Sequence, residues 1–479
     1  MNYTGNSVFS NLIWRFAERC GAQAISFIVT IVLARMLTPE EYGVIALITV
    51  FITVFQVFVD SGLGNALIQK KDADDLDFST VFYTNIAFCG MLYIFLFLFA
   101  PLIAMFYDDM SLTTLIRVLG ITIIISGIKN IQQAYVSRNM MFKKFFFSTL
   151  GGTIAAAVVG ISMAVLGFGV WALAAQQITN IAIDTIILWL TVKWHPKRMF
   201  SMERLRSLFS YGWKLLASAL INVIYNNITE LIIGKIYSSA DLAYYNKGKT
   251  FPYFIVFNVN SAIDSVLFPV MSSVQDNIEN IRLMTKKSIK TSVYVMAPLM
   301  MGLAFTAESV VTLLLTNKWI ACVPFLRIFC VAFMLWPIHS ANINAIKAIG
   351  RSDLFLKLEI ARKSIGFILI IFTMQFGPVA IAVGMLVSNI LNQIIDSWPN
   401  RKLLKYSYIE QIKDICPSVL LSVGMGMIVW CVSFLNLSVF ITLAIQILLG
   451  AAIYILGSII FRIDSFIYLK NIMASFVKR

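Results

Sequence analysis

Two lines of polar residues run along otherwise apolar stretches of this chain. The segment "NLIWRFAERCGAQAISFIVTIVLARML", residues 11–37, carries Arg15, Arg19, Gln23, Ser26 and Thr30. On a helix advancing 100° per residue these sit at about 0°, 40°, 80°, 20° and 60°, one narrow stripe about 22 Å long. A second segment repeats the device with Lys214, Ser218, Asn222, Asn226 and Glu230, each four residues after the last. Arginine offers planar, bidentate donors to phosphate and keeps its charge when desolvated. Arg15, Arg19 and Lys214 therefore suit an anionic, phosphorylated ligand, with Gln23, Ser218, Asn222 and Asn226 adding neutral hydrogen bonds. Glu18, Asp60, Glu230 and Asp264 are the acids within reach. They are candidates to hold the cations when no ligand is bound, or to take a coupling proton or Na⁺. The plainer alternative is structural: Glu18 neutralises Arg15 or Arg19, while Asp60 and Asp264 are satisfied by helix caps, water or loop lysines.

These stripes must be positioned by membrane-spanning helices. Of the 479 residues 59% are hydrophobic and only 13% charged, and the mean hydropathy is +0.83; soluble domains carry about 25% charged residues. Apolar runs of roughly 20 residues predict about fourteen spans. They cover 11–37, 42–68, 79–106, 112–136, 145–167, 169–192, 207–236, 241–271, 288–315, 321–347, 354–376, 378–398, 410–435 and 437–461. The opening "MNYTGNSVFS" has no basic n-region, and the first apolar run is too long for a signal peptide, which reads as a retained span. A polar face inside such a helix must look onto protein or water, because lipid cannot satisfy it.

Lysine and arginine crowd the segments after even-numbered spans, among them Lys70, Lys71, Arg138, Lys143, Lys144, Lys193, Lys197, Arg198, Arg204 and Arg206. Arg282, Lys286, Lys287, Lys290, Arg351, Arg401, Lys402 and the tail continue the pattern, against Arg35, Lys235, Lys247, Lys249 and Lys318 on the other side. The positive-inside rule then places both termini in the cytoplasm. It also accounts for the net charge of +14 without a nucleic-acid partner.

The chain repeats itself weakly. "NLIWRFAERCGAQ" aligns with "YGWKLLASALINV", "ARMLTPEEYGVI" with "GKIYSSADLAYY", "VDSGLGNALI" with "IDSVLFPVMS", and "GFGVWALAA" with "FGPVAIAVG". The offset is about 200 residues and creeps upward along the chain, as a drifting duplication would. Trp14-Arg15 matches Trp213-Lys214, and Asp60 matches Asp264. The expected architecture is all-α and polytopic: an N-lobe over 1–200, a parallel C-lobe over 201–400 related to it by a pseudo-two-fold axis, and an additional helix pair with a tail over 401–479.

With this order of segments, "LARMLTPEEYGVIAL", "SGLGNALIQKKD", "QQAYVSRNMMFKKFFF", "ADLAYYNKGKTFPYF" and "KAIGRSDLFLKLEI" together resemble the bacterial polysaccharide exporters. These are lipid-linked oligosaccharide flippases of the multidrug/oligosaccharidyl-lipid/polysaccharide superfamily, in the branch of colanic and teichuronic acid exporters. The resemblance spans essentially the whole chain. It implies a two-lobe, fourteen-helix fold and an undecaprenyl-diphosphate-linked glycan as cargo, moved to the periplasmic leaflet by alternating access for surface polysaccharide synthesis. It implies that cationic residues on the first helix of each lobe hold the cargo's phosphates, here Arg15, Arg19 and Lys214. A polysaccharide polymerase and a chain-length regulator are the implied partners, around a monomeric transporter in the inner membrane.

Enzyme signals are missing. There is no G-x-x-x-x-G-K-[ST] loop for ATP. Two histidines and six dispersed cysteines (20, 89, 322, 330, 416 and 431) outline neither a zinc site nor a disulfide framework. A multidrug cation antiporter of the same superfamily would need a site of acids and aromatics. A glycan polymerase or ligase would need a large periplasmic loop or an intramembrane acid–base set. Glu308, Asp184, Arg327 and Asp396 read as isolated charges, and His339, near Asn342, Asn344 and Lys347, as a packed hydrogen-bonding residue. Pro269, Pro298 and Pro337 are expected to kink their spans.

Overall fold

A computed structural model describes residues 5–60, 62–435 and 437–477, with the side chains at 5–13, 15–17, 19, 20, 60, 211, 262, 265, 266, 472, 473 and 475–477 outside that description. Every described element is helical. The helices are α1 (Gly5–Met36), α2 (Pro39–Asp60), α3 (Leu63–Gln69), α4 (Asp75–Phe106), α5 (Leu112–Arg138), α6 (Phe142–Val165), α7 (Val170–Thr191), α8 (Met202–Ile236) and α9 (Ser239–Ser273). They continue as α10 (Ile278–Phe305), α11 (Ala307–Leu315), α12 (Val323–Met334), α13 (Trp336–Ala348), α14 (Ser352–Thr373), α15 (Pro378–Leu403), α16 (Tyr408–Cys431), α17 (Val439–Ile460) and α18 (Asp464–Val477). Chain contacts divide these into two compact units, Met1–Ala243 and Tyr244–Arg479, the boundary falling early in α9.

Among the described residues, eleven helical stretches are long and apolar enough to cross a membrane. Their outward faces are what lipid requires: Met91, Ile94, Leu98, Leu102 and Met105 on α4 and Ile447, Leu448, Ile455 and Ile459 on α17 are exposed. The protein is thus a polytopic, all-α membrane protein. Three of the fourteen expected segments fall outside the eleven. Of α1, only Gly21–Met36 is described as a shorter apolar helix. α9 includes residues 262, 265 and 266, whose side chains are outside the description, and α14 is interrupted by Lys357, Glu359, Arg362 and Lys363.

Local chemistry sets the helix starts. Asp74 accepts from the Asp77 amide and Asp77 answers on the Asp74 amide, closing a capping box at α4; Ser407 and Glu410 do the same at α16. Gly377 (φ +106°) turns the chain into Pro378 at the start of α15. The predicted span over 321–347 is two helices rather than one kinked rod. α12 ends at Met334 and Pro337 lies in the first turn of α13, where a missing amide proton costs nothing. Pro269 and Pro298 do lie inside α9 and α10.

In the first unit α1 packs on α6, and α8 lies along α2, α3 and α4. Ala66, Leu67, Phe78, Val81, Phe82, Ile131, Ala134 and Leu208 form a core that joins α3, α4, α5 and α8. At the other end of α2 the backbones nearly touch: a Cβ placed on Gly43 would lie 1.7 Å from the Ser239 carbonyl oxygen. Backbone cannot step aside as a side chain can, so Gly43→Val should lower stability by at least the roughly 1–3 kcal/mol typical of overpacking. Thermal unfolding in detergent checks this, and an unchanged midpoint would refute the tight crossing. In the second unit α10 packs on α12, α13 and α16, and α15 on α12, α13 and α14.

Candidate functional site

The first stripe is carried by α1, whose opposite side is fixed to α6. The Trp14 ring meets Phe146 edge-on at 5.2 Å, and the Thr149 hydroxyl donates to Glu18 at 3.4 Å. A Cβ on Gly21 would lie 3.7 Å from Leu150. Trp14, Glu18 and Gly21 share one side of the helix, and Gln23, Ser26 and Thr30 lie roughly 140° around from it. Ser26 is exposed, and Gln23 and Thr30 are half-buried. Arg15, Arg19 and Asp60, predicted as site residues, have side chains outside the described residues.

The second stripe is carried by α8. Its packing contacts include Gly212, whose added Cβ would come within 2.9 Å of the Gly62 carbonyl oxygen, Ile233, fully buried, and Leu231, whose carbonyl accepts from the Tyr107 hydroxyl at 3.4 Å. Lys214, Ser218 and Asn226 are exposed, while Asn222 and Glu230 are half-buried. The Asn222 amide donates to the Ser218 carbonyl at 2.9 Å, which stiffens the stripe from within. Protein does not cover Lys214, Ser218 and Asn226, although they belong to the spanning segment Gly212–Ile236. In a bilayer such a face is stable only against water or a polar ligand.

Asp264, the fourth predicted acid, lies in a different setting in the second unit. Its Oδ2 accepts from Asn260 at 2.8 Å; its Oδ1 accepts from Asn344 at 2.7 Å and from the Ser340 hydroxyl. Two amides and a hydroxyl, from α9 and α13, do the satisfying here in place of loop lysines or caps.

Several charges expected to stand alone are paired. Asp184 on α7 meets Lys129 on α5 at 3.2 Å, and the Arg327 guanidinium donates to the Ala304 carbonyl at 3.3 Å. Asp396, with no exposed surface, receives Arg362 at 3.1 Å and lies 2.5 Å from His339 Nδ1. Arg362 also pairs with Glu359, and Glu359 with Lys363 at 3.3 Å. Arg362 and Glu359 were no part of the expected site. The signal that could have exposed them is the presence of charges of both signs in separate apolar segments, since an intramembrane charge needs an intramembrane partner. Among the described residues no group of three His, Cys, Asp or Glu side chains converges as a metal site.

Comparison with known proteins fits this geometry. Residues 32–324 match the family described as polysaccharide biosynthesis protein. The chain is 27% identical to the teichuronic acid biosynthesis protein TuaB of Bacillus subtilis, over 84% of this chain and 85% of that one. It is 23% identical to the lipopolysaccharide biosynthesis protein WzxC of Escherichia coli, over 83% of each. Among solved structures the fold is similar to the lipid II flippase MurJ in an inward closed conformation, with a TM-score of 0.75 at 16% identity, covering 95% of this chain and 99% of that one. It is also similar to an inward-facing multidrug resistance MATE family transporter, with a TM-score of 0.60 at 16% identity, covering 82% and 98%.

Proposed function

Because the chain belongs to the polysaccharide biosynthesis protein family, we propose that it is a flippase for lipid-linked oligosaccharides. It is a membrane transporter and not an enzyme. Its cargo is an undecaprenyl-diphosphate-linked glycan unit, carried across the bacterial cytoplasmic membrane by alternating access and destined for surface polysaccharide. The observation that carries this reading is the uncovered stripe of α8, with Lys214 at its head in an apolar spanning helix. A diphosphate leaving one interface for the other must exchange hydration for fixed donors. A lysine followed by Ser218, Asn222 and Asn226 offers such donors in a line, and the sequence supplies Arg15 and Arg19 as the further cations of this reading. A multidrug cation antiporter shares the fold, but a basic stripe repels its cargo.

In this reading both termini are cytoplasmic, the two six-span halves are parallel repeats, and the protein works as a monomer beside a polymerase and a chain-length regulator. Transport is driven by a coupling proton or Na⁺. Deleting the gene should trap lipid-linked glycan units facing the cytoplasm. Their leaflet distribution can be read by the accessibility of the sugar to a membrane-impermeant modifying enzyme added to right-side-out vesicles. A distribution unchanged by the deletion would overturn the proposal.

A further inference from the structure

Helix α13 concentrates polar side chains within two turns. Ser340 and Asn344 turn to Asp264 on α9. Asn342 meets Gln411 on α16 at 2.8 Å and Asn400 on α15 at 2.7 Å. His339 turns to α14 and α15, and its contacts conflict. Its Nδ1 lies 2.5 Å from Asp396 Oδ2 and 2.8 Å from Arg362 Nη1. A guanidinium only donates and a carboxylate only accepts, whereas an imidazole nitrogen holds either a proton or a lone pair. Nδ1 can therefore satisfy one neighbour at a time. With the proton on Nε2, Nδ1 accepts from Arg362 and its lone pair confronts Asp396. With a proton on Nδ1 alone, the ring donates to Asp396 and keeps Arg362 only through Nε2, at the longer distance of 3.3 Å; with both nitrogens protonated it has no acceptor left for Arg362.

Two further observations bear on which proton is involved. Asp396 Oδ1 is buried with no hydrogen-bond partner, so half of this carboxylate is uncompensated. The His339 side chain is 31% exposed where that of Asp396 is 0%, which makes the imidazole the open end of the cluster and the carboxylate its closed end. The charged groups facing His339 are Arg362 and Glu359 from α14 and Asp396 from α15, with Lys363 behind Glu359. On the remaining neighbours, Asp264 of α9 is held by Asn260, Ser340 and Asn344, Lys286 of α10 by Asp414, and Arg327 of α12 by a carbonyl.

We infer that His339, Asp396 and Arg362 form the proton-binding site of the transport cycle, in which one proton on the imidazole exchanges the Arg362 contact for the Asp396 contact. The inference rests on the transporter reading and names its coupling ion. With a neutral imidazole, Arg362 and Lys363 balance Asp396 and Glu359. Binding H⁺ at the imidazole adds one positive charge, which draws α13 toward α15 and repels the guanidinium of α14. The junction of three helices thereby has two arrangements selected by one proton, as a bistable switch requires.

The chain has two histidines, His195 and His339, so the full-length protein labelled with ¹⁵N-histidine in lipid nanodiscs reports the site directly, with His195→Gln assigning the signals. Across a series from about pH 5 to about pH 9, which brackets ordinary imidazole titration, His339 should pass from a singly to a doubly protonated ring. At the alkaline end Asp396→Asn should hold the tautomer with a bare Nδ1, and Arg362→Gln the one with a protonated Nδ1. In the host, His339→Gln should lose surface polysaccharide at normal membrane abundance. A His339 ring that keeps one state through the series and in both variants overturns the inference. So does undiminished export by His339→Gln. The resonance measurement needs no glycan, so its failure is distinguishable from failure of the flippase reading, which the deletion strain tests.

Discussion

Arg362→Ala should cost the folded protein about 3–5 kcal/mol, the loss measured when one partner of a buried ion pair is removed. Asp396 has no exposed surface, and Arg362 is the fixed cation against it. Without the guanidinium, the carboxylate keeps only the imidazole of His339. Replacing both partners, Arg362→Ala with Asp396→Leu, should restore most of the stability, since the uncompensated charge then disappears. Unfolding in mixed micelles, followed by tryptophan fluorescence, measures both. A cost below about 1 kcal/mol for Arg362→Ala, the range of an exposed pair, would refute the buried cluster.

Export should collapse in the double variant Arg15→Ala/Lys214→Ala while the protein remains folded in the membrane. A hydrogen bond to a charged group contributes about 1.5–3 kcal/mol. Losing one at each stripe weakens headgroup binding by roughly 3–6 kcal/mol, or about 10²- to 10⁴-fold in occupancy. Lys214 is exposed in α8. Lys214→Arg, which keeps the charge, should retain export, whereas Lys214→Gln should not. Surface polysaccharide, normalised to the transporter's membrane abundance, is the measurement. Wild-type levels from the double variant would remove the phosphate-binding role from both stripes.

Much of the fold could be read without coordinates, because apolar length and helical period are local properties. The all-α polytopic class and the polar line of α8 follow from spacing alone; which residues of that line protein leaves uncovered does not. Pairing does not. His339 and Asp396 are 57 residues apart and Lys129 and Asp184 are 55, on helices whose neighbours no periodicity names. Each residue of such a pair looks like an isolated charge or a lone histidine until the helices are packed. The break between α12 and α13 was hidden for a related reason. Pro337 carries the same covalent constraint in mid-helix and at a helix start, and only the chain's path decides which applies. Asp264 shows the converse: its position in an apolar segment was visible, but its donors come from another helix, α13, as well as its own.

The basic residues at the helix ends and connections have a second use that the positive-inside rule does not describe. Lys70 holds Asp77, Lys197 holds Asp75, Arg204 reaches Asp74, and Lys286 and Lys290 hold Asp414 and Asp464. Arg138 donates to the carbonyls of Leu67, Lys70 and Lys71, tying α5 to the end of α3. On the proposed orientation, these side chains mark the cytoplasmic side during insertion. In the folded protein the same charges are fasteners, and all but Lys70 meet acids that are more than a hundred residues away in the chain.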